Sequence, residues 1–317
     1  MNYRSDWPEI GLSSAMSEGT QAQAGNPPDW MDESRVGEAV VRRVAFKDRF
    51  ESKLYGFPIW NLRLEVENLE DDILDARAVW PQRAICEAIE RFVTAPPLRA
   101  AYVFSRIVKT EPLYEPFLKC GFLEVEQRRL YKTRIEEIKA REPLSLDESI
   151  QFLSLAEAPP AQCGSFREQI FDVCADAFSD RGYGRHFSDP FLLERLAGRA
   201  YIQAAMELNF ERLDAGSFLL AVDRDSARVC GFSVVGKKPG LSFNMYTQLL
   251  SAVRKEYQGR DIYLGLTRLL VQKLPEEAML LNATHTGNIA IQVACQRSGR
   301  IHLADTIVMR RVLTHGS

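Results

Sequence analysis

The residues best placed to do chemistry lie in the stretch Leu249–Leu270, LLSAVRKEYQGRDIYLGLTRLL. Leu249, Leu250, Ala252 and Val253 read as the end of a strand, and Tyr257 to Asp261 as a tight polar turn. Ile262, Leu266, Leu269 and Leu270 then recur at helical spacing. A turn that feeds a helix leaves several main-chain N–H groups without carbonyl partners, aligned with the helix dipole. Such a place holds phosphate. Gln258, Gly259, Arg260, Asp261, Ile262 and Tyr263 would form it, and Arg260 either adds a charge-assisted bond to a phosphate or is a solvated surface residue. The plainer alternative is a strand, turn and helix with nothing bound.

Other titratable residues are sparse. His186 stands beside Arg185 and close to Asp189 and Pro190, the last two fitting a helix cap and first helical residue. Tyr246 and His285 are further acid–base candidates, and His302 reads as structural. No His, Cys and carboxylate spacing suggests a metal, and no Ser-His-Asp order or GxSxG motif stands out.

The elements that must position these groups fit a soluble α/β chain. Apolar residues make up 46% and charged residues 26% of 317 positions, enough for roughly two domains of about 150 residues. Net charge is −3, which gives no bulk hold on nucleic acid or membrane. The six cysteines form no CxxC pair and read as reduced core thiols. With no signal-peptide pattern and no bilayer-length apolar run, the expected compartment is cytoplasmic.

Residues 1–35 read as a disordered tail, 36–145 as a first domain and 146–317 as a second, with a linker near 140–160. In the first domain, Gly37–Phe46 reads as a strand and Ser52–Trp60 as an aromatic-rich turn. Asp71–Val79 and Arg83–Val93 read as helices. In the second, Phe166–Phe178 and Phe191 to about Phe210 read as helices, the latter after the loop Asp180–Pro190. One unit occurs twice. Tyr102–Lys132 and Met279–Arg311 each read strand, polar break, helix, glycine, strand. No glycine lies between Gly56 and Gly121, so the first half lacks a phosphate-cradling turn.

The strand, the Tyr257-Gln258-Gly259-Arg260 turn and the helix resemble the acyl-CoA pyrophosphate loop of the GNAT superfamily of N-acetyltransferases. Gln258 fits the opening of that loop, while Asp261 and Tyr263 stand where the family has glycines. Ser52–Trp60, Ser105-Arg106-Ile107-Val108, Gly121-Phe122 with Val125-Glu126, and Arg185–Pro190 resemble the tandem form found in sugar-amine acetyltransferases of the dTDP-fucosamine type. The resemblance implies two GNAT-like domains with mixed, mostly antiparallel sheets flanked by helices. The N-terminal domain would be partial and without a CoA loop.

It implies acetyl-CoA or another acyl-CoA as cosubstrate, no metal, and direct transfer of the acyl group to a small amine such as an amino sugar in a biosynthetic pathway. Main-chain groups of Leu250, Ala252 and Val253 would take the pantetheine arm as an added strand. Asn288 would contact that arm or simply cap its helix. Cys295 falls where the family places its acid, a tyrosine; a buried core thiol is the alternative. Arg185 and His186 would border the acceptor, and His285 the emerging acyl group. Two further readings stay open: a donor on a carrier protein or aminoacyl adaptor, and a GNAT-fold scaffold without activity. The sequence leaves the oligomeric state open.

Overall fold

In a computed structural model the chain is described over residues 29–36, 39–67, 82–95, 101–108, 113–140, 146–179, 182–237 and 244–313. The tail before residue 29 and the expected helix at 71–79 lie outside these. Strands β1 (Trp30–Val36) and β2 (Ala39–Lys47) are followed by α1 (Arg49–Tyr55), β3 (Ile59–Glu67), α2 (Gln82–Val93), β4 (Tyr102–Val108), α3 (Tyr114–Lys119), β5 (Leu123–Arg134) and α4 (Ile135–Lys139). Next come β6 (Ile150–Ser154), α5 (Pro160–Ala177), α6 (Arg185–Ser188), α7 (Pro190–Leu193) and α8 (Gly198–Arg212). The chain closes with β7 (Phe218–Asp223), β8 (Arg228–Lys237), β9 (Met245–Val253), α9 (Ile262–Lys273), β10 (Met279–His285), α10 (Ile289–Arg297) and β11 (Ile301–Val312).

Two compact units result. One gathers the chain up to Gln127 and again from Asp305; the other runs from Arg128 to Ala304. In the first, β1, β2 and β3 form an antiparallel meander, β4 lies parallel to β3, and Thr306–Val312 of β11 pairs antiparallel with β4. Its core is built by Ile85, Ile89 and Phe92 of α2 together with Trp60, Leu62, Val103 and Ile307 of the strands.

In the second unit, β6, β7, β8 and β9 are antiparallel neighbours, β10 lies parallel to β9, and Arg128–Arg134 of β5 pairs antiparallel with β10. The closing strand of each sequence repeat thus lies on the opening strand of the other repeat. The division expected near residue 145 follows chain order, whereas the units follow this exchange. In each unit the strand pairing is mixed, mostly antiparallel, and flanked by helices.

Helix α9 buries Ile262, Leu266, Leu270 and Val271 against Leu219, Ala221 and Leu280, on the face expected from the sequence. Its Gly265 faces Phe152 of β6 so closely that an added Cβ would stand 2.1 Å from the ring. Glycine there fixes the height of α9 above the sheet, and with it the start of the helix.

Several elements differ from the sequence reading. Trp30–Val36 is a strand although all but its last residue lies within the expected tail. The expected turn at Ser52–Trp60 begins inside α1, because Asp48 caps Glu51 N–H at 2.8 Å and the helix stops only at Gly56, φ 75°. Ile150–Ser154, read as linker, is an edge strand. The long helix expected from Phe191 is broken after Leu193 and restarts at Gly198. Among the described residues no helix is long and apolar enough to cross a membrane. None of their His, Cys, Asp and Glu side chains form a group that could hold a metal.

Candidate functional site

Strands β9 and β10 run side by side only briefly. Met245, Tyr246 and Thr247 pair with Met279, Leu280 and Leu281, and there the pairing ends. Gln248–Val253 continue along β8 while Asn282–His285 continue along β5, so the two strands part into a crevice. A bulge marks the same place: Val234 faces Leu250 but Val235 faces Gln248, so Leu249 has no counterpart on β8. The edge of β9 over Gln248–Val253 is therefore open toward β10. An extended ligand can complete such an edge as an added strand would.

The turn after β9 stands at the wide end of this crevice. Gly259 has φ 84° and Asp261 φ 53°, so two left-handed residues bracket Arg260. Glycine adopts this region without a Cβ penalty; at Asp261 a short polar side chain tolerates it. Among the described residues no acceptor meets the main-chain N–H of Gly259, Arg260, Asp261, Ile262, Tyr263 or Leu264. Alternating backbone hands turn successive N–H groups into one concavity, and the positive end of the α9 dipole adds to it. Such an arrangement of donors suits an anion.

The side chains of the turn are engaged elsewhere. Arg260 bonds Asp147 at 2.6 and 2.9 Å and Ser149 at 2.9 Å. Asp261 forms a two-pronged pair with Arg297 of α10, at 2.6 and 2.7 Å, which neutralises the carboxylate beside the concavity. Gln258 donates to the Val253 carbonyl at 3.4 Å. The donors left for an anion are main-chain groups.

At the narrow end, buried polar side chains converge. Gln248 and Asn282 are the first residues past the last β9–β10 pair. The Tyr263 hydroxyl joins them, donating to Gln248 Oε1 at 3.0 Å and accepting from Asn282 Nδ2 at 3.0 Å. Arg300 Nη1 donates to the same hydroxyl at 3.1 Å, and its Nη2 to Thr267 at 3.0 Å. Asn282 also reaches Cys295 Sγ at 3.4 Å. Burial pushes the Tyr263 hydroxyl above the ordinary tyrosine pKa, against the pull of Arg300. Arg300 is 4% exposed, with no carboxylate among its partners in the described residues.

The expected site residues fall into three groups. Leu250, Ala252 and Val253 lie on the open edge of β9, with Gln258–Tyr263 at its wide end. Cys295 is fully buried at the narrow end beside Tyr131 and Tyr263, and Tyr246 lies just beyond, in the paired part. His285 is at the far end of β10, its Nδ1 accepting from Gly287 N–H at 2.9 Å and its ring 5.4 Å from that of Tyr183. Cys295 and His285 are thus at opposite ends of the crevice.

Asn288 caps α10 through Ile291 N–H at 3.4 Å. Asp189 caps α7 through Phe191 N–H at 3.0 Å. Arg185 and His186 are buried, His186 stacked on Tyr201 with ring centroids 3.5 Å apart. The sequence reading missed Gln248, Leu249, Asn282, Arg300 and Tyr183. Gln248, Asn282 and Arg300 meet around Tyr263 only because the strands part there, and no local pattern carries that signal.

No protein-family model matches the sequence, and no curated protein matches it. Solved structures do. A GCN5-related N-acetyltransferase from Sphaerobacter thermophilus is 16% identical, with 98% of this chain and 95% of that one covered at a TM-score of 0.51. A conserved protein of unknown function from Staphylococcus epidermidis is 10% identical, with 89% and 94% covered at a TM-score of 0.51. A tandem GNAT protein from the clavulanic acid biosynthesis pathway is 12% identical, with 95% and 89% covered at a TM-score of 0.47. The chain has the mixed α/β fold of GNAT N-acetyltransferase structures.

Proposed function

We propose that the protein is an acyl-CoA-dependent N-acyltransferase that passes an acetyl or other acyl group to a small amine. The observation that carries this is the parting of β9 from β10 directly below a run of unpaired N–H groups. A diphosphate would sit on Gly259–Leu264, and the attached arm would run back along the free edge of β9 toward Gln248. The bulge leaves Leu249 without a strand partner, which makes its N–H the natural donor to a developing oxyanion. Cys295 is the thiol nearest the narrow end and the candidate proton source for the departing thiolate. Tyr183 and His285 would border the wide end, beside the arm of the donor, with Arg185 and His186 holding that segment from inside. Direct transfer in a ternary complex fits this layout, and an amino sugar from a biosynthetic pathway is the acceptor we favour.

A second reading has one observation in its favour. Arg260 is held by Asp147, so the cradle offers main-chain donors alone, which suit the single phosphate of a carrier protein's phosphopantetheine arm.

Calorimetric titration with CoA, phosphopantetheine and pantetheine tests both. Binding of CoA well above pantetheine, lost in Gly259→Val, supports the first reading. Equal binding of CoA and phosphopantetheine favours the second. Binding of none of them, with no thiol release from acetyl-CoA in the presence of amines, removes both.

A further inference from the structure

We propose that Tyr263 limits the donor to short acyl groups, an inference that rests on the thioester-donor reading above. With the phosphate end at Gly259–Leu264, the acyl end of the donor points to the narrow end of the crevice. The free edge from Val253 back to Gln248 spans about 17 Å at the rise of an extended strand.

What waits there is not an apolar tunnel. The Tyr263 hydroxyl bridges Gln248 on one strand and Asn282 on the other, at 3.0 Å each. Arg300 stands behind it at 3.1 Å, and Tyr263 is 7% exposed. A methyl group can rest against this floor. A long chain must push the tyrosine aside, which strips Gln248 Oε1 of its partner and lays hydrocarbon against a guanidinium with no carboxylate partner among the described residues. Buried polar groups resist both.

The test is a series of S-alkyl CoA thioethers, ethyl, butyl, hexyl and octyl, titrated calorimetrically into the full chain. Wild type should lose at least about tenfold in affinity from ethyl to hexyl, the scale of one buried hydrogen bond left unmade. Tyr263→Ala should shrink that loss below about threefold. Should Tyr263→Ala fail to fold, Tyr263→Leu is smaller at the same place and is read the same way. Wild type binding hexyl and octyl as tightly as ethyl overturns the inference and leaves the donor reading intact. So does a folded Tyr263→Ala that discriminates as wild type does. If CoA itself does not bind, the donor reading falls and takes this inference with it.

Discussion

Replacing Tyr263 with Phe removes one oxygen from the place where β9 and β10 part. Gln248 Oε1 then loses its partner, while Asn282 keeps Cys295 and Arg300 keeps Thr267. An orphaned buried acceptor costs about 1–3 kcal/mol, and a bond to a charged donor contributes about 1.5–3 kcal/mol net. Phe is spared the burial of a hydroxyl, so we expect a net loss of about 3 kcal/mol. For a unit the size of Arg128–Ala304 this lowers Tm by about 6–12 °C, read by near-ultraviolet circular dichroism at about pH 7.

The alkaline limb supplies a second readout. Burial raises the folded-state pKa of Tyr263 above its unfolded value of 10.0. The contribution of the protonated hydroxyl is therefore complete below about pH 10 and is lost as pH climbs toward the folded-state value. The difference between wild type and Tyr263→Phe should narrow above about pH 10. A Tm within about 1 °C of wild type, or a difference that stays constant through the alkaline range, would refute the reasoning.

Gly265→Ala should destabilise by about 1–3 kcal/mol despite alanine's better helix propensity, because the new Cβ meets the Phe152 ring at 2.1 Å. Phe152→Leu in the same chain should recover part of the loss in urea unfolding. Arg297→Ala should weaken CoA binding more than pantetheine binding, since it leaves the Asp261 carboxylate bare beside the phosphate; adding Asp261→Ala should restore CoA, and calorimetric titration of both variants decides. Ser149 and Arg260 hold the Asp147 carboxyl at about 2, below its ordinary 3.8, so this link is complete above pH 3.8 and is lost as pH falls toward 2. A carboxyl NMR titration of Asp147 with its midpoint near the ordinary value of about 4 would contradict the pairing.

The helical spacing of Ile262, Leu266 and Leu270 and the glycine-containing turn before them were legible because they are local: backbone hand and apolar period act over a few residues. The repeat was legible for the same reason, since glycine and helix positions recur in order. The caps at Asp189 and Asn288 could also be read, as a short polar side chain reaches only the next turn. The break in the helix after Leu193 was not, because Gly198 is set against Phe187 by packing rather than by its neighbours in sequence.

The sequence alone pointed to the turn before α9 as the place suited to an anion, because unpaired N–H groups follow from any turn that starts a helix. Tertiary structure decided what surrounds that turn. The parting of β9 and β10, the bulge at Leu249 and the meeting of Gln248, Tyr263, Asn282 and Arg300 arise between segments distant in sequence. Strand pairing and burial set those contacts, and both depend on which segments reach the same sheet. The exchange of closing strands is the same kind of fact: β5 lies on β10 and β11 on β4, pairings between segments far apart in sequence.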